Sequence, residues 1–199
     1  GKNIKLGAGR VDLTELDTLE NASVSVALET PLRDALQLLD RKPLGLITKL
    51  DIDPNDLAGE GNVETSFKFR LLNSLKADDV IYAARASMRN VSMKNAPLDS
   101  TISNGLLNLD LNTSGMTISG NAEMNGEPVL IDWRENFKDT EDLRSRYDVT
   151  GIVDDAFLRG VGIDFDPYIA GSAKIDLTYQ SFRRHPSVLD IDAEMTESV

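Results

Sequence analysis

"LLNLDLNTSGMTISGNAEMNGEPVLIDWRENF", residues 106–137, decides the fold class. Leu107, Leu109 and Leu111 alternate with Asn108 and Asp110. Met116 and Ile118 lead through Gly120 to Ala122 and Met124, and Val129, Ile131 and Trp133 alternate with Leu130, Asp132 and Arg134. Alternation of period two is the mark of a half-buried strand, because successive side chains point to opposite faces. "NTSG" ending at Gly115, and Asn125-Gly126 within "MNGEP", separate these runs. Asn-Gly between alternating runs is the strongest short-range hairpin signal. "SNG" ending at Gly105 reads as a further turn. The segment from Val80 to about Phe137 is therefore expected to be an antiparallel meander.

The same pattern extends outward. Ala22, Val24, Val26 and Leu28 share one face, and Val63, Thr65, Phe67, Phe69 and Leu71 alternate with Glu64, Ser66, Lys68 and Arg70. Ile175, Leu177 and Tyr179 alternate with Lys174, Asp176 and Thr178. One clear helix interrupts the strands over residues 31–41. Thr30 is placed to cap it and Pro31 to open it. Leu32, Ala35, Leu36 and Leu39 form one apolar stripe, and Pro43 stops it. A second, shorter helix is expected from Asp155 to Arg159, ended by Gly160. The fold class is mainly β: a curled antiparallel sheet, groove-like or sandwich-like, with one clear and one short helix.

A phrase recurs along the chain. "DPNDLAGEGNVETSF" starts at Asp53, and "DPYIAGSAKIDLTY" starts at Asp166. Each follows a short helix and runs into an alternating strand, so the echo reads as a repeated structural unit. Residues 1–145 are expected to form one groove module with helix 31–41, and residues 146–199 to begin a second.

Composition narrows the function. The 199 residues are 41% hydrophobic and 27% charged, which suits an ordinary folded chain with a real core. A net charge of −12 argues against nucleic acid and anionic membrane surfaces as partners. There is no cysteine, hence no disulfide framework and no thiolate chemistry. No apolar run approaches the roughly 18 residues of a membrane span.

The chemical motifs fail one by one. "DIDPND" at Asp51 resembles the start of a calcium loop, but Asp56 and Asn62 stand where such a loop needs glycine and glutamate. A turn started by Asp53-Pro54, with Asn55 or Asp56 bonding local backbone, is the better reading. "GAGR" at Gly7 lacks the third glycine of a dinucleotide fingerprint and reads as a bend. His185, the single histidine, sits beside Arg183 and Arg184 with no nameable orienting partner. Zinc needs several His or Cys ligands. Asp139, Glu141 and Asp142 read as a solvated loop, and Trp133 as packing. No catalytic, cofactor-binding or metal-ligating residue is assigned, and no cofactor is expected.

Residues 31–69, "PLRDALQLLDRKPLGLITKLDIDPNDLAGEGNVETSFKF", run as helix, "KPLG", Asp-Pro, glycine and amphipathic strand. "SGNAEMNGEPVLIDWRENF" closes the meander, and "YDVTGIVDDAFLRGVGIDFDPYIAGSAKIDLTY" restarts the pattern. This order, from Ala22 to Tyr179, resembles the AsmA-like superfamily of bacterial envelope proteins, especially its YhdP-type members, with TamB more distant. The resemblance rests on order and spacing, since it contains no catalytic signature.

The resemblance implies a periplasmic body of repeated β-groove modules on a parent protein anchored in the inner membrane. It implies phospholipid conduction between the two membranes, or maintenance of the outer-membrane barrier, without enzymatic activity. Its expected partners are phospholipid acyl chains and neighbouring modules of the same chain. The absence of a leader or anchor suits a piece of a longer protein. The candidate lipid-facing residues are Val63, Phe67, Phe69, Leu71, Leu107, Leu109, Leu111, Ile118 and Ile131. Two rival readings are a structural envelope scaffold with a closed dry core and a carbohydrate-active or other hydrolytic β-protein.

Overall fold

Ten strands and two short helices make up the described part of the computed structural model, which covers residues 4–14, 21–39, 53–72, 74–76, 79–160 and 172–195. In chain order they are β1 (Lys5–Thr14), β2 (Asn21–Pro31), α1 (Leu32–Leu39), β3 (Leu57–Arg70), β4 (Ile81–Ala96) and β5 (Ser100–Asn112). β6 (Gly115–Met124), β7 (Glu127–Asn136), β8 (Leu143–Asp154), α2 (Asp155–Gly160), β9 (Ser172–Phe182) and β10 (Val188–Met195) complete them. All ten strands form one antiparallel sheet in the order β1 to β10, each paired with its sequence neighbour. The sheet is not closed into a barrel.

The meander is where the alternation put it. The Asn125-Gly126 turn joins β6 to β7 with φ of 51° and 93°, the left-handed pair that matches strand twist in a two-residue hairpin. Asn125 is also anchored sideways, its Oδ1 accepting from the Thr101 N–H at 2.9 Å. At "NTSG", Asn112 Oδ1 accepts from the Ser114 N–H at 2.8 Å and closes the turn. "GAGR" is a bend within β1, where the register shifts between Leu6 and Gly9.

"SNG" at Gly105 is a correction. It lies inside β5, and the chain does not turn there. Asn104 takes φ 51° and the register with β6 shifts between Ser103 and Leu106, so the left-handed residue makes a β-bulge. It has company. Gly59 (φ 124°) and Asn90 (φ 51°) mark register shifts in β3 and β4, and Gly120 (φ 146°) stands opposite Leu107. A Cβ on Gly120 would sit 2.2 Å from the Leu106 carbonyl oxygen. A row of left-handed positions thus crosses four adjacent strands, and bulges bend and coil the strands that carry them.

The curl is large. Eight strand spacings of a flat sheet amount to roughly 38 Å. Yet Leu6 on β1 and Tyr179 on β9 wall the same cavity.

Both helices sit at one end of the sheet, in the β2–β3 and β8–β9 connections. α1 begins one residue later than the sequence suggests. Pro31 still pairs with Glu60 in the strand ladder, so Leu32 opens the helix. Thr30 is then one place too early to cap, and its hydroxyl donates to the Pro31 carbonyl at 3.1 Å. Leu32, 5% exposed, seats on Gly61. α2 has a cap that sequence reading missed: Asp154 Oδ1 accepts from the Phe157 N–H at 2.8 Å. Phe157 and Leu158 then pack on Val153, Ala173 and Ile175 in the tightest part of the core.

The recurring phrase thus falls on two strand–helix–strand units, β2–α1–β3 and β8–α2–β9. The first copy's turn is described: Asp53 Oδ1 accepts from the Asn55 N–H at 2.8 Å, and the Asp56 N–H donates to the Asp53 carbonyl at 3.0 Å. Asp53 itself therefore closes the turn expected of Asn55 or Asp56. The second copy's Asp166–Gly171 lies outside the described residues. The module boundary expected between residues 145 and 146 falls inside β8, and the same sheet runs on through β9 and β10.

Candidate functional site

Strand parity gives the sheet two unlike faces. On the outer face the ladder carries Asn62, Ser87, Asn108 and Ser119 in one row across β3 to β6. Ion pairs flank it: Arg85 Nε to Asp110 Oδ2 at 3.0 Å, and Arg89 Nη2 to Glu60 Oε2 at 2.6 Å. These pairs are exposed and screened by solvent, so they contribute little to stability. The inner face carries Leu28, Val63, Ala86, Leu109, Ile118 and Trp133 in successive register. It surrounds a trough of about 450 Å³, a volume within the roughly 300–1,000 Å³ range of small-molecule sites.

Of the nine residues singled out by alternation, the structure brings seven into this lining: Val63, Phe67, Leu107, Leu109, Leu111, Ile118 and Ile131. Phe69 has the same strand parity and is half-buried, but it does not line the trough. Leu71 lies past the end of β3, where the Leu72 N–H donates back to the Arg70 carbonyl. It is 43% exposed, so the shared face stops before it.

Sequence reasoning missed three features of the lining. The first is α1, whose Ala35 and Leu36 stand over the trough after Leu32 has docked. The second is Met88, Val91 and Met93 on β4. Bulges at Asn90 and Asn95 interrupt period two there and hide the signal. The third is an aromatic wall. Trp133, Tyr147 and Tyr179 are direct register partners on β7, β8 and β9. The Trp133 and Tyr147 rings stack with centroids 5.2 Å apart, and Tyr179 follows at 5.9 Å. Trp133 does pack, as expected, but against rings that also line the cavity.

Two residues beyond Trp133, the same parity turns Glu135 inward. It is 5% exposed and is the single ionisable carboxylate among the buried described residues. Ser145 Oγ donates to Oε2, Trp133 Nε1 donates to Oε2 at 3.3 Å, and Arg144 Nε donates to Oε1 at 3.2 Å. A register shift between Leu143 and Ser145 lets both Arg144 and Ser145 reach it. Burial first, and then the Glu135 charge, push the Tyr147 phenol above its ordinary range, so it stays protonated. The alternation Val129, Ile131, Trp133 already pointed at Glu135 through simple parity.

Asp132, the other acid beside Trp133, has the opposite parity and pairs with Arg134 at 2.9 Å. Among the described residues no cluster of three or more His, Asp or Glu side chains could hold a metal ion. His185 does have an orienting partner, Asp142 Oδ2, which sequence reading did not find. Its neighbour Arg183 donates to the carbonyls of Asn136 and Glu141 at 2.6 and 3.0 Å. The cluster ties the β7–β8 turn to the β9–β10 turn.

Comparison with protein-family models, curated proteins and solved structures finds no match to this chain. The trough itself therefore carries the functional argument. Among the described residues no helix is long and apolar enough to cross a membrane.

Proposed function

We propose that this chain is a non-enzymatic lipid-binding module, holding acyl chains in the inner trough of its curled sheet. The observation that carries the reading is the cavity's lining. It is apolar from β1 to β9, while the opposite face carries the Asn62–Ser119 polar row and the ion pairs, with Ile81, Leu106, Leu130 and Ile152 exposed among them. Each methylene moved from water into such a lining gains roughly 0.8 kcal/mol without any directional contact. A lining without fixed polar anchors suits chains that slide. The AsmA-like resemblance supports the reading that this module belongs to the periplasmic body of an inner-membrane-anchored protein that conducts phospholipid or maintains the outer-membrane barrier. Neighbouring modules of the same chain would continue the trough.

Two experiments test this. Native mass spectrometry of the purified protein is expected to show co-purified phospholipid. A photo-crosslinking residue at Phe67 or Leu109 is expected to capture lipid in bacterial envelopes, and the same residue at Lys68 or Asp110 to capture far less. Equal capture from both faces, or none from a folded protein, rejects the lipid reading and leaves the scaffold.

A further inference from the structure

The sheet has two open edges, and they are unlike. β1 and β10 each have one ladder partner, and they do not pair with each other. Each therefore presents a row of backbone N–H and C=O groups that no described strand takes up, a template for another strand. Register fixes which side chains accompany each row. On the inner face β1 carries Leu6, Val11 and Leu13, opposite Leu28, Val24 and Ala22. All three are more than half exposed, while their partners on β2 are buried or half-buried. β10 carries Leu189 and Ile191 on that face, opposite Tyr179 and Leu177. The outer face differs in sign between the edges. β1 shows Lys5 and Arg10 with one acid, Asp12, whereas β10 shows Asp190, Asp192 and Glu194 with no cation. Lys174, across the ladder from Glu194, turns instead to Asp176 at 3.8 Å.

We infer that copies of this chain associate head to tail, β1 of one copy adding to β10 of the next and extending the antiparallel sheet. The association is independent of the lipid reading. In a meander of ten antiparallel strands β1 and β10 run oppositely, so a copy placed in the same sense sets its β1 antiparallel to its neighbour's β10. That placement matches both faces. Leu6, Val11 and Leu13 meet Leu189 and Ile191, and Lys5 and Arg10 meet the acids of β10. Like pairing is disfavoured. Two β10 edges would oppose acid to acid, which destabilises cross-strand pairs. Two β1 edges gain no acid beyond Asp12, which Arg10 already holds at 2.7 Å. Charges of one sign thus guard an edge against its own kind and admit an edge of the other sign. An interface between two different patches leaves a free edge at each end, so assembly is open-ended and grows with concentration.

Sedimentation velocity of the unmodified chain is expected to show a mass that rises with protein concentration and falls back as salt is added. Asp190→Lys with Asp192→Lys on one chain, and Lys5→Glu with Arg10→Glu on another, are each expected to weaken association about tenfold. Mixed, the two variants are expected to associate again, because the acidic β1 of the second then meets the basic β10 of the first. These positions are exposed, and circular dichroism checks the sheet of each variant. The chain has no cysteine, so introduced cysteines test the contact with the charges intact, and they decide the matter should a reversal lose its sheet. Val11→Cys and Ile191→Cys chains, mixed and oxidised, are expected to give the mixed disulfide dimer in excess of either homodimer. A single-chain mass at every concentration overturns head-to-tail association. So does association that the charge reversals leave unchanged in folded variants, or a yield of homodimer equal to that of the mixed dimer. None of these outcomes bears on lipid capture, which tests the trough alone.

Discussion

The two strand–helix–strand units share a sequence phrase and differ in what their helices cover. In β8–α2–β9 the helix closes the sheet: Val153, Phe157, Leu158, Ala173 and Ile175 are all at most 3% exposed. In β2–α1–β3, among the described side chains of the helix, only Leu32 docks fully, while Ala35 and Leu36 face the trough and Val63 and Phe67 stay half-buried. The difference lies in side-chain size and in the sheet beneath. Phe157 and Leu158 drop onto the small Ala173, which leaves no space. α1 lies over a row bent by bulges at Gly59 and Asn90, so its apolar stripe bridges the curve. One pattern of elements thus yields a dry core in one place and an open lining in the other.

The largest expected effect breaks the closed unit. Phe157→Ala leaves a void that close-packed neighbours cannot fill, and should cost about 3–5 kcal/mol in urea unfolding. Leu36→Ala, at the matching helix of the open unit, should cost under about 1 kcal/mol, since that side chain already faces a cavity. Similar losses from both would erase the distinction between core and trough.

Next comes the buried acid between them. Glu135→Ala strands Ser145, Trp133 Nε1 and Arg144, and should destabilise by roughly 2–4 kcal/mol, while Glu135→Gln keeps part of the network and should cost less. A thermal melt of the two variants checks the order.

Enlarging a side chain sharpens the contrast. Ala173→Leu overpacks a position at 0% exposure and should cost about 1–3 kcal/mol. Ala35→Leu pushes into the trough and should change stability by under about 0.5 kcal/mol. The same substitution should reduce co-purified phospholipid in native mass spectra. A stability loss at residue 35 equal to that at residue 173 would mean the trough is packed shut.

An effect smaller than any of the core losses is electrostatic and lies on the outer face. The Arg146 hydrogen bonds, with help from Thr178, hold the Asp148 carboxyl below the usual carboxylate range. A depressed folded-state pKa gives stability that is present above the unfolded value and is lost as pH falls through the folded one. Asp148→Asn should therefore flatten the acid limb of the stability curve by about 0.5–1.5 kcal/mol and leave neutral-pH lipid capture unchanged.

The sequence by itself determined the strands whose alternation is unbroken, their faces and the turns at Gly115 and Asn125-Gly126, because period-two alternation and Asn-Gly hairpins are local signals. It also carried the inward placement of Leu107, Leu109, Leu111, Ile118 and Ile131, and through parity that of Glu135. It misread Gly105, because a left-handed Asn-Gly serves a hairpin or a bulge equally well, and only the neighbouring strand settles which. Tertiary structure decided that Thr30 does not cap α1, since Pro31 remains in the β2 ladder. It also decided which apolar residues meet. Met88 and Met93 reach the lining through bulges that break local periodicity, and Trp133, Tyr147 and Tyr179 stack only once register is fixed across three strands. Whether an apolar face becomes a core or a trough depends on sheet curvature summed over many strands, and no short stretch of sequence encodes that sum.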